Sequence, residues 1–339
     1  MSRTIRIADT DTAVPAEDGD TVLDALLLDG VGFAYSCQAG NCGTCRCELV
    51  DGDVMELEYS EHALTPQERA RGIVLACRTQ VWSDVTIRRL PEDELVMHPS
   101  RVMQCRVEAV DALAPSLWRV RAQIVSGGPF TFSAGQYATL EFPFAPAQPR
   151  DYSIASRPDE PWLEFHVRES GGLTADLARR LTPGSPLRVS GPNGTAYLRE
   201  KHVGPVLAIA GGSGFAPIRS IVSTLRAKAL AQPVHAYFGV RGAADLHSLD
   251  EIAGWVAGRG DSFAHAVVED AAPGSGHRGG RVTDAIAQDF GSLAGFKAYV
   301  AGPPAMVEST AALLLAKGVA LRDIHTDHAL ATDATRAAA

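Results

Sequence analysis

Several absences narrow the field before any residue is assigned a task. No apolar run in the 339 residues reaches the roughly 20 needed to cross a bilayer, so no membrane span is expected. The opening MSRTIRIADTDT lacks the basic-then-apolar layout of a secretory leader. A reducing cytoplasm is therefore the expected home, and no disulfide framework is expected of the six cysteines. Basic excess is missing too: the net charge is −9, which disfavours a nucleic-acid partner. That acidity is concentrated early, residues 1–90 holding 8 Lys+Arg against 15 Asp+Glu, a difference of −7. A solvated acidic face and a docking face for a complementary protein both account for it. No internal repeat is visible.

What is present is an ordinary globular composition, 46% hydrophobic and 21% charged, in a length that suits two or three domains. TIRIAD and TVLDALLLDG predict a strand and a helix, followed by a cysteine-rich loop and short strands around CRCELVDGDVM and DVTIRRL. PEDELVMHPSR, with two prolines and little periodicity, predicts a linker. Six closely spaced strands follow without intervening helices (RVMQCRVEAV, LWRVRAQIV, FTFSAGQYATLEF, RDYSIAS, WLEFHVR and LRVSG). They predict a small antiparallel barrel. From Pro205 onward apolar strands alternate with helices, PVLAIA, VHAYFGV, FAHAVVE, KAYVAG and DIHTD being the strands. That pattern predicts a parallel sheet, the usual home of a nucleotide. The tail ATDATRAAA is of low complexity.

Chemistry enters at SCQAGNCGTCRC. Cys37, Cys42 and Cys45 follow C-x4-C-x2-C, and Cys77 stands in LACRT after 31 intervening residues, the spacing of a plant-type 2Fe-2S site. One tight loop can aim three thiolates inward only if it turns sharply, which Gly40 and Gly43 permit. A closed zinc site is the alternative, although zinc sites usually bring two close cysteine pairs. Cys47 falls outside the spacing and is expected to be a buried, non-ligating thiol; Cys105 is expected in the barrel core.

Three further segments carry ligand-binding patterns. Arg150 and Tyr152 in RDYSIAS lie two apart, hence on one face of a strand, where a cation and a flat ring can hold a phosphate and stack a planar cofactor; such a pair also occurs as surface decoration. HVRESGGLTADLARRL predicts a strand, a Gly-Gly turn and a helix beginning near Thr174, which is either an anion site or an ordinary capped helix. PVLAIAGGSGFAPIR predicts strand, glycine turn and helix, with Gly211, Gly212 and Gly214 allowing a pyrophosphate close to the backbone and Pro217 in the third glycine's place; a generic turn remains open. Arg241, where an acidic ribose ligand often stands, leaves NADH against NADPH undecided. AGPPAMVE sets Gly302, Pro303 and Pro304 at another carboxyl edge.

These blocks, with HPSRV, GQYATLEF, SGPNGTAYLREKHVGP and YFGVRGAADL in the same order, resemble the iron-sulfur flavoprotein reductases of bacterial ring-hydroxylating oxygenases. The likeness is closest to the ferredoxin reductase component of naphthalene-type dioxygenases. It implies a multidomain α+β and α/β fold: a plant-type 2Fe-2S ferredoxin (β-grasp) domain over 1–92, a linker over 93–100, and an FAD-binding antiparallel β-barrel over 101–199. A Rossmann-like NAD(P)-binding domain over 200–330 and a tail over 331–339 complete it. It implies that Cys37, Cys42, Cys45 and Cys77 hold the cluster, that Arg150 and Tyr152 bind FAD, and that the Ser153 hydroxyl lies near the reactive flavin nitrogen, making Tyr152 and Ser153 the candidate catalytic pair. His166, Val167 and Arg168 would run beside the flavin, Gly172, Leu173 and Thr174 would cap its phosphates, and Gly211, Gly212, Ser213 and Gly214 would receive NADH or NADPH, with Arg241, Gly302 and Pro303 around them. Two departures stand out: Ala301 where relatives carry cysteine, and Ala329 with Leu330 where they carry an aromatic residue.

The implied activity is an NAD(P)H-dependent ferredoxin reductase. A monomer is expected, passing electrons from the coenzyme through FAD and the cluster to a ferredoxin or terminal oxygenase component. Rival expectations are a reductase of a di-iron monooxygenase or deoxysugar dehydratase system, and a redox sensor without steady turnover.

Overall fold

The structure is a computed structural model, and it describes residues 2–327 apart from 9, 36, 37, 41, 42, 60–62, 65, 91–95, 97, 170–173, 175, 176 and 273. Contacts divide the chain into a unit running to Met97 and a unit over His98–Asp327. Among the described residues no helix is long and apolar enough to cross a membrane.

In the first unit, strands β1 (Ser2–Ile7) and β2 (Ala13–Glu17) form a hairpin, and helix α1 (Val22–Leu28) follows. Thr21 caps that helix, its hydroxyl oxygen accepting from the Asp24 N–H at 3.1 Å. Then come β3 (Arg46–Asp51), β4 (Val54–Glu56), the single turn α2 (Pro66–Arg69), β5 (Ile73–Leu75), β6 (Thr79–Val81) and β7 (Val85–Arg89). The main sheet has the order β2-β1-β7-β3-β5, with β1 and β7 parallel and its other pairs antiparallel. Its core joins Ile5, Ile7, Leu26, Phe33 and Ile87 to the thiols Cys45, Cys47 and Cys77. The sequence gives little sign of β2, because Pro15 interrupts a five-residue segment. The strand tolerates it at the sheet edge, where a missing N–H costs no ladder bond.

The second unit opens with six antiparallel strands: β8 (Arg101–Ala114), β9 (Leu117–Ser126), β10 (Tyr137–Glu141), β11 (Arg150–Ser153), β12 (Leu163–Arg168) and, after the short helix α3 (Leu177–Arg180), β13 (Pro186–Asn193). Their order is β11-β10-β13-β8-β9-β12, and a bridge from Ile154 to Phe165 joins the two outer strands, closing the sheet on itself. Met103, Cys105, Val120, Leu140, Phe142, Phe165 and Val167 fill the interior. Only Tyr137–Glu141 of the FTFSAGQYATLEF segment is extended in a ladder, and the helix after Thr174 is four residues long.

The same unit continues with β14 (Val206–Gly211), α4 (Phe215–Ala227), β15 (Val234–Val240), α5 (Leu249–Val256), β16 (Phe263–Val268), β17 (Arg278–Gly279), α6 (Val282–Asp289), β18 (Lys297–Ala301), α7 (Pro304–Ala316) and β19 (Ile324–Thr326). All six strands are parallel, in the order β17-β16-β15-β14-β18-β19. The order reverses between β14 and β18, which opens a crevice beyond their carboxyl ends. Both strands are buried throughout, as a sheet covered on two faces requires. Helices α5 and α6 and the two-residue β17 lie between the predicted strands and carry no strong signal of their own.

Candidate functional site

The first candidate centre lies in the loop ahead of β3. Cys45 and Cys77 are buried, and their sulfurs stand 3.3 Å apart, well beyond the roughly 2.05 Å of a disulfide. Cys45 ends the loop, while Cys77 comes from a short 3-10 turn, Ala76–Arg78, so two distant segments aim thiols at one place. Gly43 has φ of +71°, and a Cβ there would strike the Ala63 carbonyl and the Arg46 guanidinium. Arg46 itself donates from Nε to the Ala63 carbonyl at 2.7 Å, pinning the loop from behind. A tightly held loop and converging soft donors suit a 2Fe-2S cluster. Cys37 and Cys42 lie outside the described residues, as do Gly172, Leu173, Ala329 and Leu330. Cys47 is fully buried on β3, opposite Val74 and Arg89, and Cys105 sits in the barrel core, where burial pushes its thiol up to about 12.

In the second unit, Arg150 and Tyr152 face the same side of β11, opposite Leu140 and Ala138 of β10. Arg150 is exposed, and its Nη1 donates to the Pro149 carbonyl at 2.9 Å. The Tyr152 ring is half-buried at the rim of the barrel core, edge-on to Phe142 with centroids 5.9 Å apart. Burial raises the Tyr152 hydroxyl, with the Arg150 charge opposing. Ser153 is opposite Tyr137, on the other side of the strand, and Thr174 is buried. A cation and a ring displayed together at a barrel rim fit a dinucleotide carrying a flat ring system, such as FAD.

Strand β12 divides its side chains among three surroundings. Val167 points into the barrel core with Phe165 and Leu163. His166 is fully buried on the opposite face, its ring parallel to that of Phe215 at 6.1 Å and edge-on to His247 at 6.0 Å. Burial keeps His166 neutral, although its hydrogen bond to Glu164 pulls the other way. That bond, Nε2 to Oε1 at 3.1 Å, uses the imidazole N–H; Nδ1 and the Nε2 of His247 have no partner among the described residues. His247 falls to about 4, through burial first and then the nearby His166 and Arg168.

Arg168, last on β12, reaches the crevice of the parallel sheet. A cavity of about 570 Å³ there is lined by Arg168, Gly211, Gly212, Arg241, Pro303 and Met306, among others. Five of the sequence-predicted residues thus meet in one space. Gly212 has φ of +53°, and a Cβ on it would press on the Arg168 guanidinium. Arg168 and Arg241 form no ion pair among the described residues, which leaves two cations available to an anionic ligand beside backbone N–H groups. Ser213, Gly214 and Gly302 do not line the cavity; Gly214 packs directly on the Ala301–Gly302 backbone and holds the turn down. The sequence reading missed Glu269 and Arg281, which also line it and pair at 3.2 Å. Glu269 ends the predicted strand FAHAVVE, and that carboxyl-edge position was the available signal. The donor set fits an extended diphosphate such as a nicotinamide dinucleotide.

A soft-ligand loop in one unit, and a barrel with an arginine-lined crevice in the other, are the marks of a modular oxidoreductase. Residues 5–81 match the 2Fe-2S iron-sulfur cluster binding domain and residues 208–312 the oxidoreductase NAD-binding domain. The ferredoxin–NAD(P)+ reductase component of the naphthalene 1,2-dioxygenase system of Pseudomonas putida is 37% identical, with 93% of this chain and 94% of that protein covered. The reductase component of the naphthalene 1,2-dioxygenase/salicylate 5-hydroxylase systems of a Ralstonia species is 38% identical, covering 92% and 94%. Among solved structures, the cytochrome P450 reductase of Amycolatopsis superposes with a TM-score of 0.72 at 34% identity, covering 96% of this chain and 98% of that one. The chain belongs to the family of iron-sulfur ferredoxin–NAD(P)+ reductase components of oxygenase systems.

Proposed function

We propose that this chain is the reductase component of an aromatic-ring dioxygenase system, taking electrons from NADH or NADPH and delivering them to a ferredoxin or terminal oxygenase. The likeness to naphthalene dioxygenase reductases over more than nine tenths of the chain carries the assignment. When bound, FAD accepts hydride as an electron pair and releases it singly, which a 2Fe-2S cluster requires. Cys37, Cys42, Cys45 and Cys77 hold the cluster. Arg150 binds the flavin diphosphate, Tyr152 flanks the flavin ring, Ser153 offers its hydroxyl at the ring edge, and Gly172, Leu173 and Thr174 supply backbone N–H groups. Arg168 and Arg241 neutralise the coenzyme phosphates while the Gly211–Gly214 turn lets them approach. Pro303 and Met306 line the same crevice beside Gly211. We place the domain limits at 1–92, 101–199 and 200–330, and the protein in the cytoplasm as a monomer.

The test is an anaerobic titration of the reconstituted protein with NADH and then NADPH, followed by absorbance and electron paramagnetic resonance, with a Rieske-type ferredoxin as acceptor. Bleaching of flavin and cluster absorption, followed by acceptor reduction, is the expected result. Protein that stays colourless and iron-free after reconstitution would refute the assignment.

A further inference from the structure

Between the barrel and the parallel sheet of the second unit lies a buried ionic cluster centred on Glu164. Glu164 on β12 is 1% exposed. Its Oε2 accepts from Arg121 Nε at 2.9 Å, its Oε1 accepts from His166 Nε2 at 3.1 Å, and Arg219 Nη1 stands 3.6 Å from Oε1. Arg219 belongs to α4, the helix that starts directly after the Gly212–Gly214 turn. Its Nη1 donates to the Ala155 carbonyl at 2.7 Å, and its Nε pairs with Glu251 of α5 at 2.9 Å. The neighbouring Ser220 donates to the Ser156 carbonyl at 2.7 Å, and Ser156 in turn accepts from the Glu164 N–H at 3.1 Å. Ala155, Ser156 and Ser220 are fully buried.

The position of these bonds is what gives them consequence. Ala155 lies two residues past Ser153, roughly 7 Å of extended chain beyond the strand that carries Arg150, Tyr152 and Ser153. Arg219 lies five residues past Gly214, about 7.5 Å along the helix from the glycine turn. Two adjacent helix side chains therefore grip two successive carbonyls at the point where the barrel strand leaves its rim. A planar guanidinium with a fixed fork of donors holds several acceptors in one geometry, which an ammonium cannot do.

We propose that Arg219, assisted by Ser220, is a positioning residue for hydride transfer: it ties the strand that presents the flavin to the helix that presents the nicotinamide, and so sets the approach of the two rings. The inference rests on the reductase assignment above. Misplacement of reacting groups by about 1 Å can cost on the order of 100-fold in rate without weakening binding of the remote parts of a ligand.

The test uses full-length protein loaded with FAD and cluster, as wild type, Arg219→Ala, Arg219→Lys and Ser220→Ala. Calorimetry measures the affinity for ADP-ribose, which fills the crevice without a nicotinamide, and stopped-flow absorbance measures flavin bleaching at saturating NADH. Arg219→Ala is expected to slow bleaching about 10- to 100-fold, with full flavin content and an ADP-ribose dissociation constant within about twofold of wild type. Arg219→Lys is expected to recover part of the rate. A bleaching rate within twofold of wild type would overturn the proposal. So would a loss of ADP-ribose affinity by the same factor as the rate, which would make Arg219 a support of the glycine turn alone. Should Arg219→Ala fail to fold with its flavin, Ser220→Ala decides: severalfold slower bleaching at unchanged ADP-ribose affinity supports the proposal, and an unchanged rate overturns it. Wild-type protein that neither NADH nor NADPH bleaches would overturn the reductase assignment, and this inference with it.

Discussion

Glu164→Gln removes the one carboxylate on which Arg121, His166 and Arg219 converge, and its cost can be worked from two directions. Burial alone would raise the Glu164 carboxyl, but the hydrogen bond from His166, the charge of Arg219 and the hydrogen bond from Arg121 outweigh it and hold the group at about 2 instead of 4.5. At about 1.4 kcal/mol per tenfold change in proton affinity, the ionised form contributes about 3 kcal/mol to folding. Breaking a buried ion pair costs a similar 3–5 kcal/mol, discounted here because Arg121 is 31% exposed and can turn to water. We expect the variant to lose about 2–3 kcal/mol at pH 7, or roughly 5–10 °C in the melting temperature of a unit this size. The sign with pH is fixed. The unfolded chain takes up the proton near 4.5 and the native one near 2, so this stabilisation is complete above about pH 4.5 and fades as pH falls toward 2. At pH 3 the gap between wild type and variant should be about half its value at pH 7. Urea titrations followed by tryptophan fluorescence read this out, with Trp162 reporting locally because the Arg121 guanidinium lies 5.4 Å from its ring centroid. A gap under about 1 kcal/mol at pH 7, or one equally large at pH 3, would refute the argument.

Two further outcomes are expected. Cys37→Ser should abolish the cluster's visible absorption while Cys47→Ser retains it, since Cys47 is enclosed in the β3 core; iron analysis showing loss in both variants would overturn the ligand assignment. Gly214→Ala places a methyl group against the Ala301 carbonyl and the Gly302 N–H, so a destabilisation of about 1–3 kcal/mol and weaker ADP-ribose binding are expected; wild-type melting and affinity would contradict the packing account.

The C-x4-C-x2-C run and the glycine turn were legible in sequence because each pattern is local, its spacing set by one loop. Barrel strands β8, β10 and β13 were legible because they alternate against a single core. The burial of Glu164 and His166 was not. In LEFHVR their alternation with apolar neighbours suggests a solvent face, yet Glu164 and His166 are buried because helix α4 of the parallel sheet covers that side of β12. Only the tertiary contact makes a buried carboxylate tolerable there, by bringing Arg219 from 55 positions away. Glu269 and Arg281 escaped for a related reason: their pairing depends on a loop between β16 and α6 that has no periodicity to interpret.

The apolar interior around Ile5 and Phe33 shares no residue with those of the barrel or the parallel sheet. Chelating the iron should therefore melt one part of the molecule and spare the rest. What survives would still accept coenzyme in its crevice, like a relay runner with nobody ahead to take the baton.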